Sequence, residues 1–287
     1  LAIKVRFAVT KSLKMLAFSN CKINIGLNIY NQLPNGYHNI ETIFYPVNWF
    51  DTIELIENKI NSVRYTGYGL MVDGGVENNL IVKAYNMLKQ DFNLPGADLY
   101  LLKNIPMGAG LGGGSANAAA MLKLCNTYFG LNLSNAALES YAAKLGSDCA
   151  FFINNKPAYT FGIGGNLKQI DLNLSDYYIG IVKPNVHIST KTAYENAYKR
   201  GEKKSNTALT DYVHLPVNEW QNYFTNDFEP YVFKEFKEVA LIKDKMYELG
   251  ALYASMSGSG SAVYGIFKHQ PELKKHFNHP FIFSGKL

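Results

Sequence analysis

The chain has 287 residues, 47% of them hydrophobic and 18% charged, with a net charge of +5. At roughly 100–200 residues per domain, that length suffices for one large core or two smaller ones, and two lobes with a cleft between them are expected. Lys and Arg are scattered, and the run Lys199 to Lys204 reads as a solvated loop. A nucleic-acid partner is therefore not expected, because such binders concentrate charge on one face.

Cys21, Cys125 and Cys149 are odd in number, lack CxxC spacing and sit among apolar residues, as buried thiols do in a reducing compartment. No run approaches the roughly 18 apolar residues of a membrane helix, and the N-terminus lacks a signal-peptide core. A cytoplasmic protein with no membrane partner is expected. Residues 1–14 precede Met15, which opens a stretch that reads as a first strand; they read as upstream or artificially added sequence, with a genuine N-terminal strand as the alternative.

From Cys21 to Tyr30, Ile23, Ile25, Leu27 and Ile29 alternate with Lys22, Asn24, Asn28 and Tyr30, which predicts a strand whose polar face points off the core. Pro34-Asn35-Gly36 signals a turn. Segments 42–47, 52–56 and 62–68 follow as strands of an antiparallel sheet. Asn79 is placed as the N-cap of a helix carrying Leu80, Ile81, Ala84, Met87, Leu88 and Phe92. A strand over 97–105 leads into a glycine run, after which Ser115 is placed to cap a helix burying Ala118, Met121, Leu122, Cys125 and Phe129. A second helix spans 134–145 and stops at Gly146. Strands are predicted at 157–161, 167–172 and 177–182, then a helix-rich stretch from Thr190 to about Leu249. A Ser/Gly-rich loop and strand complete the segment 253–267. The change of pattern near residue 165 divides the chain into expected domains 15–165 and 166–287.

Pro106-Met107-Gly108-Ala109-Gly110-Leu111-Gly112-Gly113-Gly114-Ser115 sets five glycines between a strand and a helix start. Free N–H groups and the positive dipole end there form an anion site, and glycines let phosphates approach the backbone. A flexible turn would need only one or two glycines. No Lys follows them as in a Walker A loop, no acidic second strand follows as in a Rossmann unit, and no kinase HRD or DFG segment is present.

With the opening strand Cys21 to Leu27 and the C-terminal run Ser255 to Ala262, this loop resembles the GHMP kinase superfamily. The likeness covers the chain from Ala17 to Phe267. Finer blocks resemble the 4-diphosphocytidyl-2-C-methyl-D-erythritol kinase family within it: Lys22-Ile23-Asn24, Gly36-Tyr37-His38 with Thr42-Ile43-Phe44, Asn79 to Val82, Gly112 to Asn117, Leu145 to Asp148, and Asn226-Asp227-Phe228-Glu229. The chain departs from the family in Asn20-Cys21 before Lys22 and in a short tail after Phe281. The resemblance implies a two-lobed α+β fold with the active site in the cleft. It also implies phosphorylation of the substrate 2-hydroxyl by ATP with Mg²⁺, in the non-mevalonate isoprenoid pathway.

An alcohol needs a carboxylate to accept its proton and cations to neutralise the moving phosphoryl group. Asp148 is assigned as general base and Lys22 as its electrostatic partner; without the resemblance they would read as a turn Asp and a solvent-facing Lys. The loop from Pro106 to Ser115 with Ala116 is assigned to ATP, as are Asn79 and Lys103, which read equally as a helix cap and an edge-strand charge. Ser115 combines a cap with a phosphate or Mg²⁺ contact. The acceptor, a small molecule containing cytidine diphosphate, is assigned to Asn24, Tyr37, His38, Thr190, Tyr194, Gly258 and Gly260, with Tyr37 and Tyr194 sandwiching the cytosine. The six histidines show no metal-ligand spacing, so no protein-held metal is expected. Rival readings are a homoserine- or mevalonate-type kinase, an inactive relative acting as a regulator, and a Rossmann oxidoreductase. Oligomeric state is not legible.

Overall fold

The computed structural model describes residues 14–72, 74–197, 199 and 208–287. The expectations for residues 1–13 and for most of the run 199–204 lie outside the described residues. The first lobe is built on β1 (Lys14–Gln32), β2 (His38–Asn58), β3 (Val63–Gly69), β4 (Gly96–Lys103), β5 (Ala158–Gly162) and β6 (Asn166–Gln169). These form a sheet in the order β3-β4-β2-β5-β6, with β1 paired to β2. The helices α1 (Leu80–Phe92), α2 (Gly113–Tyr128), α3 (Asn135–Leu145) and α4 (Phe151–Asn154) belong to the same lobe.

Local signals set most of these boundaries. Asn79 caps α1 by accepting from the Ile81 N–H, and Ser134 caps α3 by accepting from Ala137. Gly112, not Ser115, holds the N-cap position of α2; Ser115 lies within its first turn. The run from Ala116 to Leu122 buries nearly all of its side chains, because α2 is enclosed by α1, α3 and β1. The expected antiparallel sheet needs two corrections: segments 42–47 and 52–56 belong to one long strand, β2, and β3 and β4 run parallel. The intervening helix α1 carries the chain back, so that it re-enters the sheet in the same direction.

The second lobe holds β7 (Tyr178–Lys183), β8 (Tyr253–Met256), β9 (Val263–Phe267) and β10 (Phe281–Lys286), in the order β10-β7-β9-β8. With them are α5 (Thr190–Asn196), α6 (Glu229–Glu235) and α7 (Lys237–Glu248). The short tail after Phe281 is not idle, because β10 adds an edge strand antiparallel to β7. One apolar cluster joins the lobes: Ile23, Ile25, Ile43 and Tyr45 of the first sheet pack with Ile179 and Tyr264 of the second and with Trp220 of a short 3-10 helix, Val217–Asn222.

The predicted alternation of β1 fails at one residue. Ile25 pairs with Ile43 and Leu27 with Thr42, so Gly26 is an extra residue forming a β-bulge at φ +64°. Inserting one residue turns every later side chain to the opposite face. Leu27 and Ile29 therefore share a side with Lys22 and Asn24, whereas Asn28 joins the side of Ile23 and Ile25. Nor does the polar face meet solvent, since Lys22 and Asn24 are each 3% exposed. A side chain at Gly26 would carry the left-handed penalty of about 1–2 kcal/mol and press on Leu209 and Phe224 at 3.1 Å. Gly26→Ala is accordingly expected to lower unfolding free energy by at least about 1 kcal/mol in urea titration, and an unchanged value would contradict the bulge.

Candidate active site

Two pockets share the glycine-rich loop as a common wall. The larger, ≈ 830 Å³, is lined by Lys22, Asn24, Tyr37, His38, Asp148, Thr190, Tyr194, Gly258 and Gly260. The smaller, ≈ 310 Å³, lies over Asn79, Lys103 and the segment from Pro106 to Ser115. Gly108, Gly110, Gly112 and Ser115 line both. One strand of backbone thus faces two chambers, as transfer between two bound molecules requires.

The loop is held at its back by a buried acid. Asp51 is fully buried and accepts from the N–H groups of Asn104 (2.7 Å) and Ile105 (2.9 Å) and from Asn117 Nδ2 (2.9 Å), while also pairing with Lys103. Lys103 is therefore not an edge-strand charge, because β4 lies inside the sheet and the side chain is 2% exposed. Burial pulls its pKa down and Asp51 opposes that shift. A Cβ on Gly113 would lie 2.9 Å from Lys103 Nζ, so this cation sits directly beneath the start of α2. Sequence reasoning missed Asp51; the signal was a carboxylate inside a β-strand, where Asp is depleted.

At the mouth of α2 the first backbone bond of the helix runs from Ala116 N to Gly112 O. The N–H groups of the preceding residues lack that helical partner and add to the positive dipole end, which suits an anion. Ala109 and Leu111 are buried and offer backbone only, while Met107 is exposed at the rim. Ala116 is turned into the core and lines neither pocket, contrary to its assignment to ATP. The oxygen of Asn79 is committed to its cap, so only its amide N–H₂ remains for another molecule.

On the other side of the loop, Lys22 comes from β1 and Asp148 from the turn between α3 and α4. Lys22 Nζ lies 3.4 Å from Asp148 Oδ2 and donates to Asn24 Oδ1 at 2.6 Å and to the Gly110 carbonyl at 3.0 Å. It also stands 4.7 Å over the Phe44 ring. Burial lowers the Lys22 pKa and the Asp148 charge offsets part of that shift. The Asp148 side chain remains 30% exposed, open to a molecule in the cleft.

The loop between β8 and β9 closes over this pair. Ser257 Oγ donates to the Gly110 carbonyl at 2.8 Å, and Ala262 N donates to Ala109 O at 3.2 Å. Asn226 holds the same loop from behind, donating to Met256 O (2.8 Å) and Gly258 O (2.9 Å), while Glu229 accepts from Met256 N at 2.8 Å. The block from Asn226 to Glu229 therefore acts as a brace. Thr190 is 3.2 Å from Ser259, tying α5 to the loop.

The end of the larger pocket lined by Tyr37, His38 and Tyr194 differs from the expected tyrosine sandwich. His38 and Tyr194 stack at 5.3 Å and 15°, Tyr194 meets Phe228 edge-on at 4.9 Å, and Tyr37 is 61% exposed at the rim. His38 Nε2 is buried without a partner among the described residues. Burial, then the Lys199 charge, lowers the His38 pKa and keeps the imidazole neutral. The Tyr194 phenol is pushed up to about 12, first by burial and then by the Asp148 charge.

Comparison with known proteins agrees with this architecture. The chain matches the GHMP kinases N terminal domain over residues 79–156 and the GHMP kinases C terminal domain over residues 216–278. A 4-diphosphocytidyl-2-C-methyl-D-erythritol kinase of Bacteroides fragilis (strain YCH46) is 46% identical over 277 residues, covering 95% of this chain and 100% of the relative. The chain belongs to that family of GHMP kinases. The kinase of that name from Parabacteroides distasonis is 45% identical over 275 residues, with 95% of this chain and all of that relative covered. A crystal structure of 4-(cytidine 5'-diphospho)-2C-methyl-D-erythritol kinase superposes with a TM-score of 0.73 at 25% identity, over 88% of this chain and 90% of that one. No helix among the described residues is long and apolar enough to cross a membrane.

The contact between the two glycine-rich loops leaves no room for a side chain. Gly110 has φ +76°, and a Cβ there would lie 1.8 Å from the Ser257 carbonyl oxygen. Gly110→Ala is expected to cost about 1–3 kcal/mol of stability, as overpacking does, and to raise the KM for ATP in steady-state kinetics. Unchanged stability and KM would show that the two loops separate freely.

Proposed function

We propose that this enzyme transfers the γ-phosphoryl group of ATP to the 2-hydroxyl of 4-diphosphocytidyl-2-C-methyl-D-erythritol, in the cytoplasm, as a step of isoprenoid precursor biosynthesis. The observation that carries the reading is the composition of one cleft. The glycine loop, the Lys22–Asp148 pair and the unpartnered His38 nitrogen all line it. The nucleotide-binding domain expected at 15–165 extends through β6 (Asn166–Gln169), which pairs with β5, and residues of both lobes line the acceptor pocket.

The smaller pocket takes the nucleotide, with its phosphates at the free N–H groups of the α2 start and Lys103 supplying positive charge from beneath. In the larger pocket Asp148 takes the proton of the acceptor hydroxyl. That oxygen forms a bond to the γ-phosphorus, the bond from phosphorus to the bridging oxygen breaks, and ADP departs. Lys22, 3.4 Å from Asp148, stabilises charge on the attacking oxygen. Among the described residues no group of three or more His, Cys, Asp or Glu could hold a metal ion. Mg²⁺ fits as a companion of the phosphates, for which the half-buried Ser115 hydroxyl on both pockets is a suitable hard oxygen. When bound it neutralises phosphate charge.

Cytosine selection falls to His38, whose neutral ring brings one unused nitrogen to the base edge, and to the face of Tyr194. Tyr37 closes the rim, and Thr190, Asn24, Gly258 and Gly260 surround the erythritol and diphosphate.

The test is ADP release measured with 4-diphosphocytidyl-2-C-methyl-D-erythritol, mevalonate and homoserine as separate acceptors. Turnover of the first alone is expected, with kcat reduced about 10²–10⁴-fold in a folded Asp148→Asn variant. Turnover of mevalonate or homoserine instead would overturn the acceptor assignment, and wild-type kcat in Asp148→Asn would overturn the base.

A further inference from the structure

Resting on the reading of Lys22 and Asp148 given above, we infer that Thr42 is a positioning residue for catalysis: its hydroxyl fixes which way the Asn24 amide faces and thereby holds the Lys22 ammonium beside Asp148. Thr42 is fully buried on β2. Its Oγ1 lies 2.5 Å from the Gly26 carbonyl and 3.0 Å from Asn24 Nδ2. A backbone carbonyl only accepts, so the single hydroxyl proton of Thr42 is committed to Gly26. Toward Asn24 the hydroxyl can then only accept.

That asymmetry decides the amide. The group of Asn24 that meets Thr42 must be the N–H₂, which leaves Oδ1 facing Lys22 Nζ at 2.6 Å. The reverse orientation would set amide N–H₂ against an ammonium and a carbonyl against a hydroxyl with no proton to give. Each contact would lose its hydrogen bond between side chains that are almost fully buried.

The bulge explains why a donor is needed there. Gly26 is the unpaired extra residue between the pairs Ile25–Ile43 and Leu27–Thr42, so the ladder leaves its carbonyl to be satisfied from elsewhere. Thr42 sits opposite the residue after the bulge and supplies the proton. One backbone irregularity therefore sets a chain of orientation running Gly26, Thr42, Asn24, Lys22, Asp148. Ser257 supports the far end, donating to the Gly110 carbonyl that also accepts from Lys22.

The experiment compares Thr42→Val and Thr42→Ser in the steady-state ADP-release assay. Val keeps the shape and removes the hydroxyl, whereas Ser restores it. Thr42→Val is expected to lose about 10- to 100-fold in kcat, by analogy with the loss on removing a hydrogen-bond partner behind a metal ligand, with the KM for ATP nearly unchanged and kcat recovered in Thr42→Ser. The neighbouring Thr160, paired opposite Thr42 on β5, is fully buried and its hydroxyl has no partner among the described residues. Thr160→Val is therefore the control and keeps wild-type kcat. If Thr42→Val does not fold, Thr42→Cys against Thr42→Ser gives the same comparison of a weak and a strong donor at nearly equal size, with Cys the slower. Wild-type kcat in Thr42→Val, or in Thr42→Cys where that pair is used, overturns the inference, as does failure of Ser to restore it. Asp148→Asn measured alongside separates the two levels: if it too keeps wild-type kcat, the catalytic reading fails, and if it alone loses activity, only the role of Thr42 fails.

Discussion

A buried ammonium is the constraint around which this site is arranged. Lys22 is 3% exposed, and an unpaired cation there would be costly. Its acceptors come from separate parts of the chain: Asp148 from the turn between α3 and α4, Asn24 from β1, and the Gly110 carbonyl from the glycine-rich loop. Satisfying one cation thus brings the elements of the reaction into register. A second buried cation, Lys103, does the same behind the loop by joining β4 to Asp51 on β2. The glycine-rich backbone lies between the two.

The lobes are correspondingly not independent bodies. Their shared apolar cluster places Ile23 and Ile25 against Ile179 and Tyr264, and Tyr264 Oη donates to the Asn24 carbonyl at 2.7 Å. Asp227 accepts from the Ile29 N–H at 2.8 Å, so the second half of β1 is bound by the second lobe. The strand that carries Lys22 is therefore clamped on both sides, and the charged pair rests on rigid elements.

Much of the site was legible because its signals are local. A glycine run at a helix start, a capping Asn79, and Ser134 with Gly146 around α3 each depend on backbone chemistry within a few residues; the structure places Asn79, Ser134 and Gly146 at the expected boundaries and starts α2 within the glycine run. What escaped depends on partners distant in sequence. Regular alternation concealed the bulge at Gly26, since a glycine between Ile25 and Leu27 leaves the apolar pattern unbroken while the extra residue turns Leu27 and Ile29 to the other face. Ser115 read as a cap because Gly112 fills that position through its backbone alone. The parallel pairing of β3 and the stacking of His38 on Tyr194 are tertiary facts that no window of residues contains. The roles of Asp51 and Ser257 likewise appear only once Asp51 is seen holding Asn104, Ile105 and Asn117 on either side of the glycine-rich loop, and Ser257 the Gly110 carbonyl.

The central claim is that Lys22 and Asp148 act as one unit, and a double-mutant cycle on kcat tests it most directly. Lys22→Met, Asp148→Asn and the double variant would be compared with wild type, with folding checked for each. Groups that act together lose most of their effect with the first removal, so the double variant is predicted to be scarcely slower than the slower single variant. Multiplicative losses in folded variants would contradict the account, because they would show two residues contributing independently.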